Sequence, residues 1–175
     1  MAKLQIITAP DPILRKRAHE VDSVDDSVRL LMDNMLYTLY AGKAIGLAAN
    51  QVGVLKRVLV LDLQKDDEQQ RPEGFYPLKI ANPEIIEASD EIVEADEGCM
   101  SLPEQTISVR RSASVKIKYL DYDGKSQELN AEGWLARAIQ HEMDHLDGKL
   151  LVDYLSNLKK DMILRKLVKL KKLSE

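Results

Sequence analysis

The sequence predicts a single domain that combines α-helices with β-strands. Its 175 residues and 45% hydrophobic content suit one domain with one core, and no repeat or low-complexity linker divides them. Residues 23–42 carry apolar side chains at helical spacing, whereas residues 56–63 and 114–124 are rich in β-branched residues and end in turn sequences. These observations favour one mixed domain over residues 1–175.

The first predicted helix is "SVDDSVRLLMDNMLYTLYAG", residues 23–42. Ser23 is the expected N-cap, with Asp26 at the third position, and Gly42 is the expected stop. We expect this helix to pack against the core through one apolar face. That face consists of Val28, Leu31, Met35 and Leu39.

The predicted strands follow in "KRVLVLDL" (56–63) and "SVKIKYLDYDG" (114–124). The segment "YDGKSQELNAEG" predicts a hairpin, because Asp-Gly is a turn sequence that joins antiparallel strands. Its second strand leads into a helix that contains "QHEMDHLDG", residues 140–148. A last helix is expected to begin near Ser156.

The segment "QHEMDHLDG" is typical of a metal site. Residues i and i+4 share one face of a helix, so His141 and His145 can direct ring nitrogens at one ion. Glu142 then takes the position of a general base. The alternative is a surface helix whose charged side chains are only solvated. Those side chains are His141, Glu142, Asp144, His145 and Asp147.

An open catalytic metal site needs a third protein ligand, and the sequence offers few. It contains three histidines and one cysteine. Leu151 stands where a third histidine would follow in metzincins, and Asp161 is a weak candidate in a lysine-rich stretch. Cys99, in the tight turn sequence "EADEGCMSLP", is the best third ligand.

Composition limits the cellular setting. The N-terminus lacks an apolar leader, and no segment approaches the roughly 20 apolar residues of a membrane span. One cysteine cannot form an internal disulfide, which suits a reducing compartment. We therefore expect a cytoplasmic protein without a membrane partner.

Charge is distributed unevenly along the chain. Residues 156–175 hold seven Lys or Arg against two acidic residues, a net charge of +5, whereas the other residues carry 18 basic and 27 acidic side chains. The acidic body argues against DNA binding. Residues 156–173 predict an amphipathic basic helix. Its apolar stripe is predicted to be Leu158, Met162, Leu167, Leu170 and Leu173.

Three segments together resemble one family. "AIGLAANQVG", "EGCMSLP" and "QHEMDHLDG" occur in the order and spacing of the peptide deformylases, and "DPILRKRAHEV", "ANPEI" and "VKIKYLDYDGK" extend the resemblance nearly end to end. The resemblance implies an α+β fold in which antiparallel strands surround a central metal-binding helix, with a C-terminal helix. It also implies removal of the N-formyl group from the initiator methionine of nascent chains.

The resemblance implies roles for individual residues. It gives Cys99, His141 and His145 as ligands of one divalent metal, with Fe²⁺ the expected ion and Zn²⁺, Ni²⁺ or Co²⁺ as replacements. Glu142 is the expected proton carrier. The oxyanion donors it implies are the Gln51 side-chain amide and the backbone N–H of Met100.

Two residues depart from the usual family pattern. Ala44 replaces a glycine of the first motif, which raises the question of whether that position needs positive φ, and Met100 replaces a leucine. The expected methionine pocket consists of Ile45, Gly46, Trp134, Arg137 and Ala138. For Trp134, packing in the core is an equally good interpretation.

Some interpretations remain open from the sequence. Arg111 could pair with Glu97 or be a solvated strand residue, and His19 is interpreted as structural or exposed. A metalloprotease, or another metal-dependent amidase with the same HExxH site, is the alternative function. Bacterial members of the family contact the ribosome through a C-terminal helix, so the basic helix is expected to do the same.

Overall fold

A computed structural model describes residues 1–174, and Glu175, the last residue of the predicted domain, lies outside them. Three α-helices are α1 (Asp26–Ala41), α2 (Gly133–Leu146) and α3 (Asn157–Ser174). A five-stranded sheet, in spatial order, contains β1 (Gly46–Ala48), β2 (Val58–Leu61), β3 (Leu78–Ala88), β6 (Ser114–Leu120) and β7 (Ser126–Glu132). A two-stranded sheet contains β4 (Ile92–Cys99) and β5 (Leu102–Ser112).

Every strand pair in the two sheets is antiparallel. The hairpin predicted after "YDG" is confirmed, because β6 pairs with β7 from Ser114 opposite Glu132 to Leu120 opposite Ser126. Both predicted strands exist, but the long strands β3, β4 and β5 were not predicted. Their sequences mix charged and small residues, so hydrophobic alternation did not reveal them.

Helix α1 begins at Asp26, two residues later than an N-cap at Ser23 would place its start. Asp25, not Ser23, is the N-cap, since its carboxylate accepts a hydrogen bond from the Val28 N–H at 3.0 Å. Gly42 ends the helix as predicted. The buried face is rotated slightly from the prediction, because Met32 is fully buried whereas Leu31 is only partly buried.

Helix α2 lies at the centre of the fold. Its buried residues form one core cluster with side chains from the large sheet, including Leu61 of β2, Ile80 of β3 and Ile117 of β6. From the helix, this cluster takes Leu135, Ala136, Ala138, Ile139, Met143 and Leu146. The predicted α+β architecture with a central helix is therefore confirmed.

Helix α3 docks on the domain through only part of its predicted apolar stripe. Leu167 is 2% exposed and packs in a cluster together with Ile163, Leu164 and Leu170. The other three members of the stripe do not dock, because Leu158 and Met162 are 73% and 62% exposed and Leu173 is exposed as well. Within residues 1–174, no helix combines the length and apolar character needed to cross a membrane.

Candidate metal centre

Cys99, His141 and His145 come together at the end of strand β4. Each offers one ligand atom, and these three atoms lie within 4.8 Å of one another. The Cys99 Sγ atom is 3.3 Å from Nε2 of His145. Two donors bound to one tetrahedral ion lie roughly 3.5 Å apart, given metal–ligand bonds of about 2.0–2.3 Å. The spacing and the donor types therefore fit a single divalent ion.

The two histidines reach this point because they are one helical turn apart on α2. His145 is buried, and its Nδ1 has no hydrogen-bond partner within the described chain. The interpretation of "QHEMDHLDG" as a solvated surface segment is wrong, since Glu142 and Met143 are buried too.

Glu97 fixes the orientation of His141. The His141 Nδ1–H donates to Oε1 of Glu97 at 2.8 Å, which leaves the other ring nitrogen available as a ligand. Burial raises the pKa of Glu97, but hydrogen bonds from His141 and Arg111 outweigh it and lower the pKa to about 2. This contact between Glu97 and His141 is not predicted by the sequence. The spacing of Glu97 two residues before Cys99 was the signal in the sequence, but it places the two near each other on one strand only once residues 92–99 are known to form that strand.

Arg111 is buried and pairs with Glu97, as the sequence suggested. Its Nε and Nη2 donate to the two carboxylate oxygens at 2.7 and 2.9 Å. A third donor, Nη1, reaches Oδ2 of Asp144 at 2.9 Å. The alternative of a solvated strand charge is therefore wrong.

Glu142 is the one buried carboxylate beside the three ligands that has an unused oxygen. It is 3% exposed, and Oε1 makes no hydrogen bond to any described residue. Burial raises the pKa of Glu142 to about 7. Gly46 makes room for it, because a Cβ at that position would lie only 2.7 Å from Oε2 of Glu142.

Gln51 directs its amide nitrogen at the cysteine sulfur. Its Oε1 accepts a hydrogen bond from the Ala48 N–H at 3.0 Å, which fixes the amide plane. The Nε2 donates to Cys99 Sγ at 3.4 Å and to the Ser101 hydroxyl at 3.1 Å. Met100 lies in the turn between Cys99 and Ser101, so its backbone is at the same end of the site.

Ala44 does not adopt the conformation that a glycine would favour. Positive φ occurs at the preceding residue, Lys43, where φ is 54°. The Ala44 side chain packs beside the cluster formed by α1 and the neighbouring strands. The replacement of glycine by alanine is therefore free of backbone strain at this position.

A cavity of about 400 Å³ opens beside the three ligands, and all five predicted pocket residues border it. Trp134 is 41% exposed, so the interpretation of this residue as core packing is wrong. Arg137 is only 6% exposed, and its guanidinium binds Glu97 and two backbone carbonyls. His19 lies elsewhere, exposed, and its backbone pairs with Lys56.

Comparison with known proteins identifies the family. The family model described as "Polypeptide deformylase" matches residues 3–161. The chain belongs to the peptide deformylase family. Peptide deformylase 1 of Rickettsia conorii is 60% identical over 171 residues, which cover 98% of both chains. The peptide deformylase of Rickettsia prowazekii is 58% identical over the same length and coverage.

Solved peptide deformylases have the same fold. The Ehrlichia chaffeensis structure matches with a TM-score of 0.91 and 40% identity, covering 99% of each chain. A second structure from that organism, in complex with actinonin, matches with a TM-score of 0.91 and 42% identity, covering 97% of this chain and 98% of the other. Peptide deformylases are metal-dependent hydrolases that remove the N-formyl group from nascent peptides, and this is the reaction of the chain.

Proposed function

We propose that Cys99, His141 and His145 bind one divalent metal ion and that Glu142 transfers the proton during deformylation. The observation that supports this proposal best is the convergence of the three ligand atoms within 4.8 Å, next to a buried carboxylate with a free oxygen. Residues 1–175 act as one catalytic domain, in keeping with relatives that match over 98% of the chain.

The metal is proposed to be Fe²⁺. One thiolate and two imidazoles suit Fe²⁺, Zn²⁺, Co²⁺ and Ni²⁺ alike, so the donor set limits the choice without deciding it. The family resemblance favours iron, with the other three ions as replacements. When bound, such an ion polarises the formyl oxygen and makes a water molecule more acidic.

Glu142 is proposed to accept the proton of the attacking water. Water adds to the formyl carbon, the C–N bond breaks, and the proton is returned by Glu142 to the leaving amine nitrogen, so that formate and a free amine form. Burial raises the pKa of Glu142 above that of an ordinary carboxyl group, which supports a side chain that can both accept and donate a proton. Its free Oε1 supports the role as well.

Gln51 and the Met100 backbone N–H are proposed to stabilise the charge that develops on the formyl oxygen. Gln51 is 1% exposed and is fixed by the Ala48 N–H, so its donor is oriented before substrate binds. Donors aimed in advance at a developing charge lower the barrier more than donors that must first reorient.

The methionine side chain is proposed to enter the cavity bordered by the predicted pocket residues. The five predicted pocket residues are mainly apolar. The one charged residue among these five, Arg137, has its guanidinium bound by the protein. An unbranched apolar side chain suits such a space. The residues proposed to contact it are Ile45, Gly46, Trp134 and Ala138, with Arg137 in the wall.

Helix α3 is proposed to contact the ribosome. Its solvent-facing side presents Leu158, Met162 and Leu173 among basic residues, while Leu167 attaches the helix to the domain. Ribosomal RNA offers dense phosphate, which attracts a basic segment. Because the formylated substrate emerges from the ribosome, we propose that the reaction takes place in the cytoplasm.

The decisive experiment measures metal and formate on the same protein. Metal analysis of anaerobically purified protein should give one ion per chain, predominantly iron. The same sample should release formate from a formyl-methionyl tripeptide and leave the unformylated tripeptide intact. Cleavage of the unformylated peptide without release of formate would instead support the metalloprotease.

A further inference from the structure

Arg137 borders the cavity, but its guanidinium is bound by acceptors of the protein. It lies one helical turn before His141, on the face of α2 that carries both histidines. Its Nη1 donates to Oε2 of Glu97 at 2.6 Å and to the Val109 carbonyl at 2.9 Å. Its Nη2 donates to the Val93 carbonyl at 2.6 Å. Three acceptors therefore occupy the guanidinium.

These three acceptors belong to the hairpin that carries Cys99. Val93 and Glu97 lie on β4, and Val109 lies opposite on β5. One side chain of α2 thus ties the cysteine hairpin to the histidine helix. Arg111 and Asp144 add a second connection between the same two elements, at 2.9 Å.

The Glu97 carboxylate is saturated only when Arg137 is present. Oε1 accepts from Arg111 and His141, and Oε2 accepts from Arg111 and Arg137. Four donors hold the carboxylate in one orientation, and that orientation is what directs the His141 ring. Loss of Arg137 would leave Oε2 with one donor instead of two, while the bidentate pair with Arg111 stays in place.

We propose that Arg137 is a positioning residue for the metal centre, which acts through Glu97 on His141 and fixes the separation between the cysteine and the histidines. It is not a substrate ligand. The role rests on the proposed metal centre. Arg137 holds the hairpin and the helix at a fixed separation, because its planar guanidinium donates to three acceptors at fixed angles. An apolar side chain at the same position in the wall could make none of these hydrogen bonds.

The test compares Arg137→Met with Arg110→Met, an exposed arginine on the same hairpin. Ni²⁺ affinity is measured by competition with a chelator, and kcat and KM are measured with a formyl-methionyl tripeptide. R137M should bind Ni²⁺ roughly 10–100-fold more weakly and lose kcat, with KM nearly unchanged. R110M should match the wild type in all three.

A double variant separates positioning from simple packing. Arg137→Met should weaken Ni²⁺ binding far less in the Glu97→Gln background than in the wild type. The reason is that Arg137 acts on His141 through Glu97, and that contact is already altered in Glu97→Gln. If R137M fails to fold, Arg137→Lys replaces it, since a lysine keeps the charge but cannot satisfy three acceptors. An equal loss of Ni²⁺ affinity in the wild-type and Glu97→Gln backgrounds would overturn the positioning role of Arg137.

Two further results are decisive. A raised KM with unchanged Ni²⁺ affinity in R137M would make Arg137 a substrate ligand and overturn the proposal. Failure of the wild-type protein to bind one Ni²⁺ would overturn the metal centre together with this role, whereas normal Ni²⁺ binding by both wild type and R137M would overturn only the role of Arg137.

Discussion

The His141 ring and the Glu97 carboxylate are joined by a hydrogen bond of 2.8 Å, and Glu97 lies two residues before Cys99 on the same strand. One carboxylate thus connects the helix that supplies two candidate ligands to the strand that supplies the third. Because Glu97 is buried and paired with two arginines, this connection is rigid. Contacts within the protein therefore hold the candidate ligands in position.

The first prediction tests the third ligand. Cys99→Ala should lose most bound metal and nearly all deformylase activity, because two imidazoles alone bind a divalent ion weakly. The fold should persist, since Cys99 is only partly buried. Metal content by mass spectrometry and circular dichroism check both points. His19→Ala is the control, as His19 is exposed and lies outside the cluster of ligand atoms. Full metal stoichiometry in Cys99→Ala would remove the cysteine from the ligand set.

The second prediction concerns metal removal. An ion that binds only the native state stabilises it by RT ln(1 + [L]/Kd), or about 2.7 kcal/mol at a hundredfold excess over Kd. For a chain of this size, that corresponds to a fall in Tm of roughly 5–10 °C after chelation. The fall should reverse when Ni²⁺ is restored. Cys99→Ala should show no such response to chelator, and an equal response in that variant would locate the stabilising ion elsewhere.

The third prediction isolates the proton carrier. Glu142→Gln keeps the shape of the side chain but cannot accept a proton, so kcat should fall roughly 10²–10⁴-fold while bound metal stays at one per chain. Glu87→Gln, an exposed carboxylate on β3, supplies the matched control and should retain wild-type turnover. A Glu142→Gln enzyme within threefold of the wild-type kcat would exclude Glu142 from proton transfer.

Much of this site followed from spacing, and the rest depended on strands that spacing did not reveal. The i, i+4 histidines and the single cysteine restricted the ligand set, because few other donors exist in the chain. The pairing of Glu97 with Arg111 was one of two open interpretations, and its contact with His141 was not predicted, since β4 was not predicted and its register was unknown. Arg137 borders the cavity, but its three contacts depend on the β4–β5 hairpin, which the sequence did not reveal.

The face of the C-terminal helix that contacts the domain also could not be predicted from the sequence. The existence and charge of this helix were predicted, but the sequence did not show which residues of its apolar stripe contact the domain. Leucine and methionine occur on several sides of α3, so periodicity alone allowed more than one stripe. The cluster around Leu14, Leu102 and Val152 selects the face that contains Leu167. That choice is made by tertiary packing, which a single helical segment does not encode.

The fourth prediction tests the oxyanion donor. Gln51→Leu removes the amide that is directed at the site, and one such donor is typically worth roughly 10²–10³ in kcat. The loss should appear in kcat more than in KM, because the charge develops only in the transition state. The thermal midpoint must be recorded too, since the Ala48 N–H loses its partner. Wild-type kcat in Gln51→Leu would assign the donor elsewhere.

The fifth prediction concerns the ribosome contact of α3. Deleting the helix after Leu155 would expose the cluster that buries Leu167, so loss of binding could then reflect a damaged domain. Neutralising exposed basic residues avoids this, because Leu167 stays in place. Lys160 is retained as well, since it pairs with Asp153 at 2.8 Å. The four substitutions to Gln are at Arg165, Lys166, Lys169 and Lys172.

This quadruple variant should turn over a short formyl-methionyl peptide at the wild-type rate but bind ribosomes weakly, with a shallower dependence of affinity on salt, because fewer counterions are released from RNA. A matched control removes the same number of positive charges from the body of the domain, and it should bind ribosomes about as tightly as the wild type. Its four exposed lysines changed to Gln are Lys3, Lys65, Lys118 and Lys125. Equal ribosome affinity of wild type and the α3 variant across the salt series would refute recruitment by α3, and equal weakening of both variants would assign the effect to net charge alone.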